Sequence, residues 1–429
     1  MVLRRYDIVK IITLLGCEVA MKGYFRTEEV MKEFDISRQT LYRWIKEKEI
    51  CEPERDWRNW RMWKEKNILE IKRKIDSRAN EIINEKTKNI NEYFEINNRR
   101  YLGSKYRLLD FINGVVKDNC DDINVVADVF GGTGVVANSF FEQGKSIIVN
   151  DILESNYHSY NTWFSNGEID INKVRDIINE FNNIDILEDN YMSKNFGGTY
   201  FTVENAKRIG YIRERIENLS KELTEREKSA LITSLLYSMD KVANTCGHYD
   251  AFRRKLDSTE KLKLLVPNIK NLDLKNNNKI FKRDANELVK DISADLVYID
   301  TPYNSRQYGD AYHLLENVAT WNKPEVEGVA KKMINRAKIK SKYCTAKAPE
   351  AFDELIKNIN SKYILVSYNN MAQKGVGRSN AKISNEEILT TLKEKGEVKV
   401  FDTDYKVYTT GKTNVEGHKE LLYLCKCSK

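Results

Sequence analysis

Residues 124–151 read NVVADVFGGTGVVANSFFEQGKSIIVND. A short apolar run stops at a glycine-rich turn, an apolar stretch of helical length follows and is closed by Gly144, and a second apolar run ends in Asp151. This order of periods predicts a βαβ unit. Glycines at 131, 132 and 134 let the backbone approach a ligand over the start of the following helix, and an acid that ends the second strand can accept hydrogen bonds from ribose hydroxyls. Gly132-x-Gly134-x-x-Ala137 also satisfies a nicotinamide-dinucleotide fingerprint, so these residues alone leave a dehydrogenase open.

Downstream, residues 279–300 read KIFKRDANELVKDISADLVYID: an apolar strand leading to Asp284, a helix beginning at Ala285, and a continuously apolar strand that stops at Asp300. Asp284 fits a helix N-cap as well as a ligand contact. Pro302 ends the strand at its carboxyl edge, where open α/β sheets bind ligands. Four residues at that edge, Asp300-Thr301-Pro302-Tyr303, resemble motif IV of the amino-methylating DNA methyltransferases, and the resemblance implies their chemistry. The exocyclic amino group of a nucleic-acid base is a poor nucleophile because its lone pair is delocalised into the ring. A carboxylate at Asp300 and a main-chain carbonyl at Thr301 can hold its two hydrogens, aiming lone-pair density at an electrophile. Tyr303 offers a flat face for a base flipped out of the duplex.

Three segments carry a resemblance. Residues 128–134, DVFGGTG, match D-x-F-x-G-x-G; residues 100–112 read RYLGSKYRLLDFI; and DTPY stands at 300–303. In this order they resemble motifs I, X and IV of the class alpha N6-adenine DNA methyltransferases of restriction-modification systems, whose motif IV is usually D-P-P-Y. Residues 200–217, 244–252 and 302–319 look like the same group, as do ILVSYNN at 364–370 and KELLYLCK at 419–426. The resemblance implies a Rossmann-like α/β domain that binds S-adenosyl-L-methionine. It places Asp128, Phe130 and the glycine turn beside the cofactor's amino-acid part, Asp151 and Ile152 at the ribose, and Asp284 and Ala285 at the adenine. Tyr101 and the Gly103-Ser104 turn would cover the cofactor, with Lys105 near its carboxylate. Threonine replaces the family's first proline at 301; because the needed group is a carbonyl, the exchange should be tolerated. The same acceptor geometry would serve an N4-cytosine or RNA amino methyltransferase, and a DNA-binding regulator with an inactive methylase domain is the rival of another class.

About 130 residues separate Asp151 from Asp284, far more than a crossover needs, which predicts an inserted, mainly helical target-recognition domain. Residues 227–243 have a core-helix pattern. Asn244, Thr245, His248, Arg253 and Arg254 follow it as partners for base edges and phosphates. Residues 329–347 carry seven basic side chains and no acid, with Lys338 and Lys340 central, as a phosphate-holding segment or a solvated loop.

At the other end, residues 26–50 read RTEEVMKEFDISRQTLYRWIKEKEI, with helix starts at Thr27 and Ser37 and a short turn between. That is helix-turn-helix spacing, with Leu41, Trp44 and Ile45 inward and Arg38, Gln39, Tyr42 and Arg43 outward for DNA. The continuation EPERDWRNWRMW resembles the wing of the MerR-like winged-helix family; a small bundle for protein contacts is the alternative. The expected layout is thus 1–62 helix-turn-helix, 63–97 helical linker, 98–154 with 281–429 catalytic, and 155–280 target recognition.

Composition narrows the classes. With 41% apolar and 31% charged residues, no uncharged apolar stretch approaches the roughly 20 residues of a membrane span. The opening run, interrupted by Lys10 and Glu18, reads as an amphipathic helix rather than an export signal. Seven scattered cysteines make neither a zinc site nor a disulfide framework and point to the cytoplasm. The histidines form no triad or metal pattern, so no metal is expected. The net charge of +7 is a modest excess that matters for a polyanion only where it clusters. The expected partners are double-stranded DNA and, genetically, a cognate restriction endonuclease.

Overall fold

The structure, a computed structural model, describes residues 24–34, 36–74, 92–185, 188–256, 259–269, 277–370, 381–404 and 419–428. The amphipathic helix read near the N-terminus and residues 75–91 of the expected linker lie outside them. The chain forms two units, Met1–Glu92 and Tyr93–Lys429.

In the first unit, helices Thr27–Phe34 and Arg38–Lys46 precede a hairpin that pairs Glu54–Arg55 with Arg61–Met62. Ser37 starts the second helix by accepting from the Thr40 amide at 3.1 Å. Phe25, Val30, Leu41, Trp44, Ile50, Trp63 and Ile71 make its core. Ile45 packs against that core, while Arg38, Gln39, Tyr42 and Arg43 are exposed. Of these, Arg38 pairs with Glu28 at 2.7 Å, and the Arg61 guanidinium lies 4.4 Å over the Tyr42 ring.

The second unit is built on a seven-stranded sheet: β1 (Val125–Asp128), β2 (Ser146–Asn150), β3 (Lys279–Phe281), β4 (Ala294–Ile299), β5 (Ser361–Asn369), β6 (Gly396–Asp404) and β7 (Lys419–Cys427). Their spatial order is β6-β7-β5-β4-β1-β2-β3. All neighbours pair parallel except β7, which runs antiparallel to both β5 and β6. The Rossmann-like α/β architecture expected from the sequence is therefore present. Alternation explains the unbroken apolar reading of β4: Leu296 and Tyr298 enter one core and Val297 and Ile299 the other. Helices α1 (Leu109–Asn119), α2 (Val135–Glu142) and α3 (Glu154–Phe164) contribute to the first of these cores.

Beyond α3, helices α4 (Ile171–Asn183), α5 (Val203–Asn218) and α6 (Glu225–Val242) form a separate apolar core. α7 (His313–Thr320), which follows the Asp300 run, completes it with Leu314, Leu315 and Val318. Two buried ions tie this layer together. Glu316 of α7 accepts from the Glu154 and Ser155 amides at 2.9 and 2.8 Å, satisfying orphan donors in the first turn of α3. Arg213 of α5 donates to the Val318 and Ala319 carbonyls at 2.7 and 3.1 Å, closing the end of α7. α8 (Ala348–Asn358) and α9 (Asn385–Lys395) cover the opposite sheet face. Among the described residues no helix is long and apolar enough to cross a membrane.

Because Arg213 is fully buried, its replacement removes charge-assisted bonds and leaves carbonyls unpaired. Arg213→Met is expected to cost about 2–4 kcal/mol, read as a lower midpoint in urea titration; an unchanged midpoint would show that α7 does not depend on this cap.

Candidate active site

Strands β1, β2 and β4 run parallel, so their carboxyl ends share one edge, and each is followed by or ends in an aspartate: Asp128, Asp151 and Asp300. The side chain of Asn150 fastens that edge, donating to the carbonyls of Val129 and Arg283 at 3.1 Å each and accepting from the Arg283 amide at 2.9 Å. The edge opens into a cleft. Of the residues singled out from sequence, it is lined by Tyr101, Gly103, Ser104, Lys105, Asp128, Phe130, Gly131, Gly132, Asp151, Ile152, Asp284, Ala285, Asp300 and Pro302. Tyr308, Ile339, Ser341 and Tyr343 also line it and were not foreseen, because nothing local distinguishes them.

The glycine turn is required by contact as well as conformation. A side chain at Gly131 would place its Cβ 2.6 Å from the Tyr160 hydroxyl and 2.9 Å from Val149. Gly134 stands at the start of α2 with φ +78°. The Gly132 amide donates to Asp151 at 3.0 Å and the Leu153 amide to its other oxygen at 2.9 Å, so Asp151 shapes the turn that it borders. Asp284 does cap the helix after it, accepting from the Asn286 amide at 2.9 Å, and lines the cleft as well.

Tyr101 stacks on Tyr312 with centroids 4.5 Å apart and planes within 4°. The Leu102 amide donates to the Tyr312 hydroxyl at 2.7 Å, and the Tyr308 hydroxyl donates to the Leu102 carbonyl at 3.2 Å. The cover of the cleft is thereby fastened to the segment that follows Asp300.

Lys105, expected near a cofactor carboxylate, donates from its ammonium to Asp300 Oδ1 at 2.8 Å, to the Tyr303 hydroxyl and to the Gly103 carbonyl at 3.3 Å, and lies 3.5 Å from Glu420. Buried carboxylates draw the nearest cation. Tyr303, expected to offer a flat face, has its hydroxyl 2.8 Å from Asp300 Oδ1 and 2.9 Å from Glu420 Oε1, its ring edge-on to Tyr368, and the Lys105 ammonium 4.7 Å from its ring centre. Thr301 is buried beneath them, and its hydroxyl has no partner among the described residues. Glu420 was missed; the available signal was a lone acid at the head of the apolar strand ELLYLC.

Burial and the charges of Asp300 and Asp151 push Asp128 up to about 8, and its Oδ1 is buried without a partner among the described residues. Burial also raises Asp151 and Asp300; the backbone amides oppose this at Asp151, and Lys105 opposes it at Asp300, while Glu420 adds to it there. Among the described residues no three side chains form a metal-ligand cluster.

The proposed DNA contacts divide. Asn244 is buried, its amide donating to the Thr199 and Arg253 carbonyls at 2.9 Å each, and Thr245 is buried beside it, so neither faces a base edge. Arg253, Arg254, Lys338 and Lys340 are exposed and His248 is half-buried. Asp250 joins the two segments, lying 2.8 Å from Lys332, 3.8 Å from His248 and 3.9 Å from Arg306. Arg38, Gln39, Tyr42 and Arg43 belong to the other unit.

The raised Asp128 sets a pH dependence. Between its ordinary value near 3.8 and about 8, the folded protein holds a proton that the unfolded chain has released, so this group subtracts stability as pH rises through that window. Asp128→Asn should therefore melt with a smaller decline between pH 5 and pH 8 than the wild type in parallel thermal scans; equal declines would refute the assignment.

Comparison with known proteins agrees with this geometry. The family model described as D12 class N6 adenine-specific DNA methyltransferase matches residues 101–374. The modification methylase StsI of Streptococcus sanguinis is 36% identical over 344 residues, 76% of this chain and 51% of that protein. The type II methyltransferase M.FokI of Planomicrobium okeanokoites is 32% identical over 355 residues, covering 76% and 52%. M.NlaIII of Neisseria lactamica, also a type II methyltransferase, is 30% identical over 332 residues, covering 74% and 95%. The chain spans about half the length of the first two relatives and nearly all of the third. It belongs to the D12 class of N6 adenine-specific DNA methyltransferases.

Proposed function

We propose that the protein methylates the N6 amino group of adenine at a specific site in double-stranded DNA, as the modification component of a type II restriction-modification system whose cognate endonuclease is its genetic partner. The observation that carries this is Asp300: a carboxylate at the end of a buried strand, beside an acidic cleft, in a chain of this family. S-adenosyl-L-methionine would supply an electrophilic methyl group on a sulfonium. Its positive charge suits the Asp128, Asp151 and Asp300 carboxyls, and the buried, unpartnered Asp128 Oδ1 supports the fit. The glycine turn, Asp151 and Ile152, Asp284 and Ala285, and the Tyr101–Lys105 cover would hold it.

In the reaction, the Asp300 carboxylate accepts a hydrogen bond from one N–H of the amino group and the Thr301 carbonyl from the other, which localises the nitrogen lone pair. Pro302 keeps the turn short, and the Tyr303 ring is the face for the flipped base. The helical residues 155–280 act as target-recognition domain, with Arg253, Arg254, Lys338 and Lys340 on phosphates. Residues 1–62 serve as a winged helix-turn-helix, with Arg38, Gln39, Tyr42 and Arg43 toward DNA; the exposed Trp57 and Trp60 beside Arg58 on the hairpin support such a surface.

Single-molecule sequencing of DNA from an expressing host should report N6-methyladenine in one sequence context. Unmodified DNA or methylated cytosine would refute the assignment. Asp300→Ala should lower transfer at least about 1000-fold while leaving DNA binding within a few-fold in a mobility-shift titration; retained transfer would remove the mechanism.

A further inference from the structure

One oxygen of Asp300, Oδ1, accepts from the Lys105 ammonium and lies within hydrogen-bond reach of the Tyr303 hydroxyl, at 2.8 Å each. An adenine amino group that needs this oxygen must displace a donor, and a displaced donor left unpaired in a buried site is costly, an ammonium most of all. A second acceptor stands within reach. Glu420 Oε1 is 2.9 Å from the Tyr303 hydroxyl and 3.5 Å from the Lys105 ammonium. The single hydrogen of Tyr303 can serve Asp300 or Glu420, one at a time.

Glu420 is held for that position. It is buried at the start of β7, opposite Asn369 of β5, and its Oε1 accepts from the Ser367 hydroxyl at 2.9 Å. Its side-chain partners described here, Ser367, Tyr303 and Lys105, connect it to the Asp300 cluster. Burying a carboxylate there gains nothing for packing.

We propose that Glu420 is a positioning residue for methyl transfer: it takes over the Tyr303 hydroxyl and the Lys105 ammonium when the base amino group displaces them from Asp300. The proposal rests on the reading of Asp300 as the acceptor for that amino group. Turning an O–H bond and shifting one ammonium then suffices to free Asp300, with no donor stranded.

Steady-state transfer by the full-length enzyme tests this with Glu420→Gln, which keeps the shape and removes the charge. kcat should fall roughly ten- to a hundredfold, with the KM for DNA within about threefold. The acid limb of the kcat profile should also move to lower pH, because the Glu420 charge is one of the influences that raise Asp300. Ser367→Ala, which frees Oε1 to wander, should lower kcat in the same manner but less, and carries the test if Glu420→Gln does not fold. A wild-type-like kcat, or a fall in kcat with an unmoved acid limb, would overturn the proposal and leave Glu420 a structural role. A wild-type enzyme that transfers nothing to DNA would remove the underlying reading as well, whereas an active wild type matched by its variants removes this inference alone.

Discussion

Three carboxyls meet where β1, β2 and β4 stop, in a cleft where burial raises all of them. Such a cluster is unfavourable by itself, and much of the surrounding structure serves to offset it. The Gly132 and Leu153 amides are spent on Asp151, the Lys105 ammonium on Asp300, and Asp128 responds by holding its proton to about pH 8. A cationic ligand beside the buried, unpartnered Asp128 oxygen would favour the ionised form of that carboxyl.

The second dependence is mechanical. The cover of the cleft, Tyr101 to Lys105, is held by Tyr308 and Tyr312, which belong to the segment between Asp300 and α7. Through Glu316 and Arg213 that segment is bound to α3 and α5. The cover of the cleft, the Asp300 turn and the helical layer are therefore linked by buried hydrogen bonds, and the helical core draws on residues from both sides of the Asp300 run. Ile339 and Ser341 face the cleft while Lys338 and Lys340 on the same segment face solvent. A contact made with phosphates at those lysines would be felt directly at the cleft wall.

The strands, the glycine turn and the acids at the strand ends were legible because each is a local necessity: period, turn chemistry and a terminating proline lie within a few residues of one another. Asp284 shows how far such legibility goes, since the cap and the cleft position were both readable and both occur. Asn244 and Thr245 show its limit. Their polarity after an apolar helix looked like exposed reading groups, but the Asn244 amide turns inward to donate to the Thr199 and Arg253 carbonyls, and Thr245 is buried beside it.

The sequence by itself determined the parallel strands, the place of the cleft at their carboxyl edge and the acids that stand there, since these follow from the spacing of apolar runs and from which residue ends each one. The tertiary structure alone decided how the charges pair. Lys105, Asp300, Tyr303 and Glu420 are drawn from three separate parts of the chain, and only the placing of β7 beside β5, with β5 beside β4, brings Glu420 to the Asp300 turn. Electrostatic partners are set by distance in space and by exclusion of water, neither of which a linear pattern contains.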